Sequence, residues 1–229
     1  MNLFFGLPSK PNMTSFLPHI ILGQSFLISA SRVVFWEAEK ILILSDLHLG
    51  KTGHFRKAGI AIPQTVLQED LFRLLDQIQI FKPNKLIIVG DLFHSHANKE
   101  HNLFLKWRKD IPTIEINLVM GNHDILHNEF YKKANIILHK KTVEINNFIF
   151  THDINDVEIT NDKYYFSGHI HPSILIQGKG KQNLKLACFY FTKHYAVLPA
   201  YGKFTGTFSI NKKKGDDVFA IVENNILKV

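Results

Sequence analysis

Apolar and polar positions follow two regimes along this chain. Up to about residue 152, short β-branched runs alternate with amphipathic stretches. QSFLISA and RVVFWEA, on either side of Ser31, read as a hairpin, and KILILSD follows as a continuous apolar run, the pattern of a buried central strand. Residues 62–81, IPQTVLQEDLFRLLDQIQIF, place apolar side chains at Val66, Leu67, Leu71, Leu74, Leu75 and Ile78, a helical period. Pro63 stands near the start of that helix and Pro83 just past its end. KLIIVGD predicts a second buried strand, HNLFLKWRKD a helix with a less clean face, IEINLVMG a third strand and NEFYKKAN a short helix.

Beyond that point no helix is expected. TVEI and FIFTHD flank an Asn-Asn turn, KYYFSGH, SILIQ, LKLACFYF, YAVLP and GTFSI follow, and a last pair closes around Glu223-Asn224-Asn225. A βαβαβα first half and a β-rich second half predict two sheets packed face to face with helices outside. Residues 1–18 read as a flexible lead-in, with a Pro inside its short apolar start and no basic region before it, unlike a signal peptide. No repeat or linker divides the rest, so residues 19–229 are expected to form one domain.

Composition adds boundaries. In 229 residues, 45% apolar and 21% charged, no run reaches the ~18 apolar residues of a membrane span. Cys188 is the single cysteine, which excludes an internal disulfide and a thiolate metal site; it sits in LACFYF as an expected core residue, in keeping with a cytoplasmic setting. The net charge of +7 comes in small groups: Lys51/Arg56/Lys57, Lys140/Lys141, Lys179/Lys181/Lys185 and Lys212–Lys214. Solvated loops explain most of these, and a polyanionic partner is compatible with the total. The 13 histidines are more informative, because several adjoin Asp or Gly.

The polar residues concentrate at strand ends. The first buried strand ends in Asp46-Leu47-His48, the second in Gly90-Asp91 and the third in Gly121-Asn122-His123-Asp124. Two later strands end in Thr151-His152-Asp153 and Gly168-His169-Ile170-His171. Ligands of α/β sheets collect at the carboxyl ends of strands, so the five ends would present Asp46, His48, Asp91, Asn122, His152, His169 and His171 to one crevice. Carboxylate with imidazole suits Mn²⁺, Fe, Zn²⁺ or Ni²⁺ rather than an all-oxygen Ca²⁺ site. Any one fragment is weak, since D-x-H or G-D alone is usually a cap or a turn; five in order are not. Strand alternation would put His169 and His171 on the same side of an extended segment.

The series DxH…GDxxH…GNHD…H…GHxH resembles the calcineurin-like metallophosphoesterase superfamily. Over roughly residues 20–210, SDLHLGK, FRKAGIAIP, GDLFHS, GNHD, GHIHP, ACF and LPAYGKFTG are similar to the bacterial ligase-associated DNA damage response endonuclease family. That resemblance implies an α/β sandwich of two mixed β-sheets in four αββα layers and Mn²⁺-dependent phosphodiesterase activity on DNA, beside ligase-associated repair proteins. It implies two divalent metal ions, one held by Asp46, His48, Asp91 and His171. The other would be held by Asp91, Asn122, His152 and His169, with Asp91 bridging. The chain departs from the family pattern at FTHD, where relatives more often carry an acidic residue and Pro after the His.

Chemistry assigns the remaining candidates. Asn122 offers a neutral amide oxygen, and with the neutral imidazoles it keeps the site from becoming too negative for a phosphate ester. His123 directly follows a candidate ligand and is expected to face substrate as general acid or as a stabiliser of the leaving oxygen, with Asp124 setting its tautomer. Lys51 and Arg56 follow the first metal strand, where phosphate contacts are useful, and His94 and the neighbouring His96 follow the second. Phe189, Phe191, Tyr195 and Phe204 read as sheet core rather than a base-stacking platform. The competing functions are a phosphatase or small-nucleotide phosphodiesterase on the same fold, and a non-catalytic scaffold. Lipid-precursor hydrolases of this fold usually carry Arg where this chain has His123, and scaffolds lose ligands that are all present here. Sequence leaves the oligomeric state open.

Overall fold

A computed structural model describes residues 15–51, 65–94, 99–178, 183–203 and 205–229. The first sheet runs β1 (Phe16–Ile21), β2 (Gln24–Ser29), β3 (Val33–Trp36), β4 (Ile41–Leu44), β5 (Lys85–Val89), β6 (Glu115–Val119) and β7 (Ile136–His139), in that order. β1 to β4 form an antiparallel meander, and β4 to β7 are parallel, joined by crossovers that hold α1 (Thr65–Phe81), α2 (Lys99–Arg108) and α3 (Asn128–Lys133).

The second sheet is built from β8 (Thr142–Ile145), β9 (Phe148–Thr151), β10 (Tyr164–Ser167), β11 (Pro172–Gln177), β12 (Asn183–Phe191), β13 (Tyr195–Val197), β14 (Phe208–Ser209), β15 (Asp217–Val222) and β16 (Asn225–Lys228). Its order is β14-β11-β12-β13-β10-β9-β8, with β15 pairing β12 and β16. It is mixed: β9, β10 and β13 run parallel, while β11, β12 and β15 run antiparallel. The two mixed sheets are the sandwich that the sequence predicts.

The continuous apolar runs resolve by period two into two faces. Leu42 and Leu44 of β4, with Leu86 and Ile88 of β5, meet the helices through Leu67, Leu71, Leu74 and Ile78 of α1 and Phe104 and Trp107 of α2. Ile41 and Ile43, with Ile87 and Val89, meet Phe148, Phe150, Phe166 and Phe189 of the second sheet. Each such buried side chain stabilises the fold by about 1.5–3 kcal/mol. All six apolar positions that set the period of α1 are buried. Lys82, at φ 47, takes up the left-handed turn before Pro83 that ends the helix. Among the described residues the helices cover the first sheet, and the outer face of the second is closed by Cys188, Tyr190, Val197 and Val218.

Two strands escaped the pattern. The expected lead-in over residues 1–18 gives way at Phe16, where β1 begins and pairs along its whole length with β2. Pro18 and alternating exposure hid it; an edge strand tolerates a proline because one side needs no donor. β7 is short and only half-covered, and its partner β6 lies about twenty residues back, so local periodicity carries no trace of it.

Candidate metal centre

The chain turns sharply after β4, β5, β6, β9 and β10, and all five turns meet at one edge of the sandwich. Backbone bonds splice them together. Asp46 N donates to Gly90 O (3.1 Å), His48 N to Asp91 O (2.9 Å) and Gly168 N to His152 O (3.0 Å). Five of the seven candidate ligands have left-handed backbones: Asp46 (φ 53), His48 (φ 50), Asp91 (φ 49), His169 (φ 69) and His171 (φ 50). Only a few per cent of non-glycine residues adopt this region, though Asp and His do so more readily than most, and such strain clusters where function demands a particular side-chain direction.

The directions that result form two groups. In the first, His48 Nε2 lies 3.1 Å from His171 Nε2 and 4.0 Å from Asp46 Oδ1, and His171 Nε2 lies 3.4 Å from Asp46 Oδ1. In the second, His152 Nε2 lies 3.1 Å from both Asn122 Oδ1 and His169 Nδ1. Asp91 Oδ2 stands between them, 3.9 Å from His48 Nε2 and 3.6 Å from His152 Nε2. Asp46, Asp91 and His152 also lie close enough to share one ion, so the groups adjoin. The expectation that His169 and His171 share a side is corrected here. The segment is not extended, and its two left-handed residues send His169 to one group and His171 to the other.

These groups fit a cation. Asp46 Oδ1 is fully buried and, by hydrogen-bond geometry among the described residues, has no partner. His171 Nδ1 lies 2.9 Å from Gly206 O and His152 Nδ1 lies 3.4 Å from Val89 O, so a proton on Nδ1 would be satisfied there and leave Nε2 directed inward as a ligand atom. Ring nitrogens and carboxylate oxygens then face one another across short distances, an arrangement that a divalent ion completes. Burial, opposed by Asp46, drives the His48 pKa down to about 3 and keeps the ring in the neutral form that a metal needs. Burial raises the Asp46 pKa, but His171, His152 and His48 outweigh it and hold the carboxyl below its usual range. For His171, burial lowers the pKa, but its contacts with Asp46 and with Gly206 O outweigh that and raise it above the usual value.

Other groups hold this set in place. A side chain on Gly90 (φ 80) would run into the His152 ring, with Cε1 at 2.8 Å, and one on Gly168 would meet Ser45 Cβ at 2.8 Å and Asp46 Oδ2 closer still. Only a bare backbone lets these ligands cross so near. On the far side of Asp46 lies a strut, residues 199–203, that sequence reasoning did not assign. Tyr201 N donates to Ser45 O (2.8 Å) and Gly202 N to Asp46 O (3.1 Å). Arg32 Nη1 donates to Ala200 O (3.0 Å), and Arg73 Nη2 bonds Asp70 Oδ1 (2.9 Å) and Tyr201 O, with its guanidinium 4.1 Å over the Tyr201 ring. The signal was present, because Asp70 and Arg73 share the apolar stripe of α1 with Val66 and Leu74.

His123 overhangs the first group, its ring 5.4 Å from that of His48 and 4.3 Å from that of His94, while its amide donates to Asp91 Oδ1 (2.9 Å). Asp124 does not set its tautomer. Both carboxyl oxygens accept backbone amides, from Phe93 and Gly121 (3.0 Å each), and burial pushes the pKa up to about 7. Asp124 therefore braces the GDLFH turn against the GNHD turn. His94 Nδ1 lies 3.4 Å from His48 Nδ1, behind that ligand. Lys51 is half-buried, and burial holds its pKa below the usual value against the opposing pull of the Asp91 and Asp46 carboxylates. Arg56, Lys57, His96 and Phe204 lie outside the described residues. Phe189 and Phe191 are sheet core, and Tyr195 packs against the cluster around Cys188.

A fold of two mixed sheets with histidines, carboxylates and an amide gathered at the carboxyl ends of its strands defines a metal-dependent phosphoesterase. The chain belongs to the calcineurin-like phosphoesterase family, whose model matches residues 39–221. The crystal structure of nuclease MPE from Pseudomonas putida superposes with a TM-score of 0.80 at 23% identity, over 94% of this chain and all of that one. YfcE, a phosphoesterase from E. coli, aligns at a TM-score of 0.42 and 12% identity, over 82% of this chain and 97% of that one. No curated protein sequence matches the chain. Among the described residues no helix is long and apolar enough to cross a membrane.

Proposed function

We propose that the protein is a dinuclear, Mn²⁺-dependent phosphodiesterase that cuts DNA, a single domain from β1 at Phe16 to residue 229 working in the cytoplasm beside ligase-associated repair proteins. Asp46, His48, Asp91 and His171 would hold one ion, and Asp91, Asn122, His152 and His169 the other. The observation that carries this reading is the place of Asp91 Oδ2, within 4 Å of a ligand nitrogen from each group. Bound divalent ions would neutralise the phosphoryl oxygens and acidify a water. His123, above the first group, donates a proton from its imidazole to the leaving oxygen. Lys51 adds a cation beside the carboxylates, and His94 supports the His48 ring from behind. The nuclease reading draws on the sequence blocks outside the metal motifs and on the kinship in fold with a nuclease.

The test is hydrolysis, with added Mn²⁺, of bis-p-nitrophenyl phosphate, the corresponding monoester and single-stranded DNA in parallel, with metal content measured on the same preparation. Two ions per chain and activity on the diester and DNA are expected. Activity on the monoester alone defeats the nuclease reading, and one ion per chain defeats the bridged pair.

A further inference from the structure

A cleft of about 570 Å³ opens beside the second ligand group, with Asn122, His152 and His169 in its lining. Lys140, Lys141 and Thr142 also line it, as do Asp153 and Asp156, of opposite charge. A single phosphate does not fill such a volume, which falls in the range of sites that enclose whole small organic ligands. The lysines are the only cationic lining residues among those described, both are exposed, and among the described residues neither has an ion-pair partner.

Topology explains why they stand there. β4, β5 and β6 are parallel and carry candidate ligands just past their carboxyl ends; β7 is the fourth strand of that series, and Lys140-Lys141 occupies the matching place. Val119 pairs with His139, and Met120 N donates to His139 O (2.9 Å), so the chain to Asn122 and the chain to Lys140 leave from one rung. Neighbouring strands are about 4.8 Å apart, a gap that an extended lysine side chain crosses. The same residues carry the chain over to β8 in the second sheet, so the pair sits at the seam of the sandwich beside the metal centre.

We propose that Lys140 and Lys141 form the wall of this cleft that binds the phosphate flanking the scissile one in a nucleic-acid strand, which leads the strand out past Asn122 and His169. This rests on the nuclease reading above and names the residues that would make the site prefer a polynucleotide to a small diester. Lysine holds phosphate as a point charge and carries no sequence information, so the contact positions the strand without selecting bases. Asp153 and Asp156, which also line the cleft, repel phosphate and so favour a path along the lysines.

The test compares wild type with the Lys140→Ala/Lys141→Ala double variant on a single-stranded DNA oligonucleotide and on bis-p-nitrophenyl phosphate, which has no flanking phosphate. A Lys213→Ala/Lys214→Ala variant removes the same charge outside the cleft. The ratio of kcat/KM for the oligonucleotide to that for the small diester should fall about tenfold or more, through KM. The salt dependence of KM should weaken by about 0.7 in log–log slope per lysine. Arg at both positions should restore it, and the 213/214 variant should keep the wild-type ratio. An unchanged ratio, an equal loss in the 213/214 variant, or an equal loss on both substrates overturns the assignment while leaving the nuclease reading intact. Wild type that hydrolyses the small diester but no oligonucleotide removes that reading, and this inference with it.

Discussion

Gly90 offers the sharpest measure of how tightly the centre is built, because a single methyl group there meets two separate obstacles. Its φ of 80 lies where an L-side chain costs about 1–2 kcal/mol. The added carbon would stand 2.8 Å from His152 Cε1 and closer to Nδ1 and Cγ, against an ordinary contact of 3.4 Å or more, so the imidazole or the backbone must shift by more than half an ångström. Overpacking of this kind costs about 1–3 kcal/mol. Gly23, in the β1–β2 turn, separates the two effects, since its φ is 76 and nothing lies within 4 Å of the added carbon. Both substitutions share the small gain from stiffening the unfolded chain. Gly23→Ala should therefore cost about 1–2 kcal/mol and Gly90→Ala about 2–5. At about 2–4 °C per kcal/mol for a chain of this size, that is a loss of up to about 8 °C against one of up to about 20 °C.

The assay is a thermal melt of both variants in chelator and in Mn²⁺, with metal per chain measured alongside. Displacing the His152 ring withdraws Nε2 from Asn122 Oδ1 and Asp91 Oδ2, so Gly90→Ala should also hold less metal, whereas Gly23→Ala should hold the wild-type amount. Equal melting losses with wild-type metal in both variants would refute the claim that Gly90 is bare because His152 needs its space.

The remaining expectations probe other parts of the structure. His123→Ala should keep its metal and lose about 10²- to 10⁴-fold in diester turnover; loss of metal instead would make His123 a loop support. Chelation should lower the melting temperature, and each site refilled at a hundredfold excess over its Kd should return about 2.7 kcal/mol, near 5–11 °C; a melt indifferent to metal would deny that the buried centre takes an ion. Arg73→Met should cost about 3 kcal/mol in urea denaturation, because it leaves Asp70 and Tyr201 O without their cation; a change within 0.5 kcal/mol would show that the strut does not depend on it. Burial pushes the Cys188 thiol pKa up to about 12, so a thiol reagent at pH 8 should label it only as the chain unfolds, and rapid labelling of the native protein would contradict its place under the second sheet.

Much of the architecture was legible because it depends on local patterns. The apolar stripe of α1 and the unbroken runs of β4 and β5 state their own periods, and polar residues stop those runs where the strands stop. β1 and β7 were not legible, since each owes its conformation to a partner strand rather than to its own composition. The roles of Arg32, Asp70 and Arg73 were hidden in the same way, because what they hold lies more than a hundred residues along the chain.

For the site, residue types and their order are a property of the sequence: a DLH, a GD, a GNHD, an HD and a GHIH, each after an apolar run, already name the chemistry. Which atom faces which is decided by tertiary structure alone. Strand alternation assigns His169 and His171 to a common side, yet two left-handed backbones separate them into different groups. Asp124 looks like the partner of its neighbour His123 and instead ties two turns together through backbone amides. Such directions are set by turns that the packed sheets impose on one another, and no local preference of histidine or aspartate contains them.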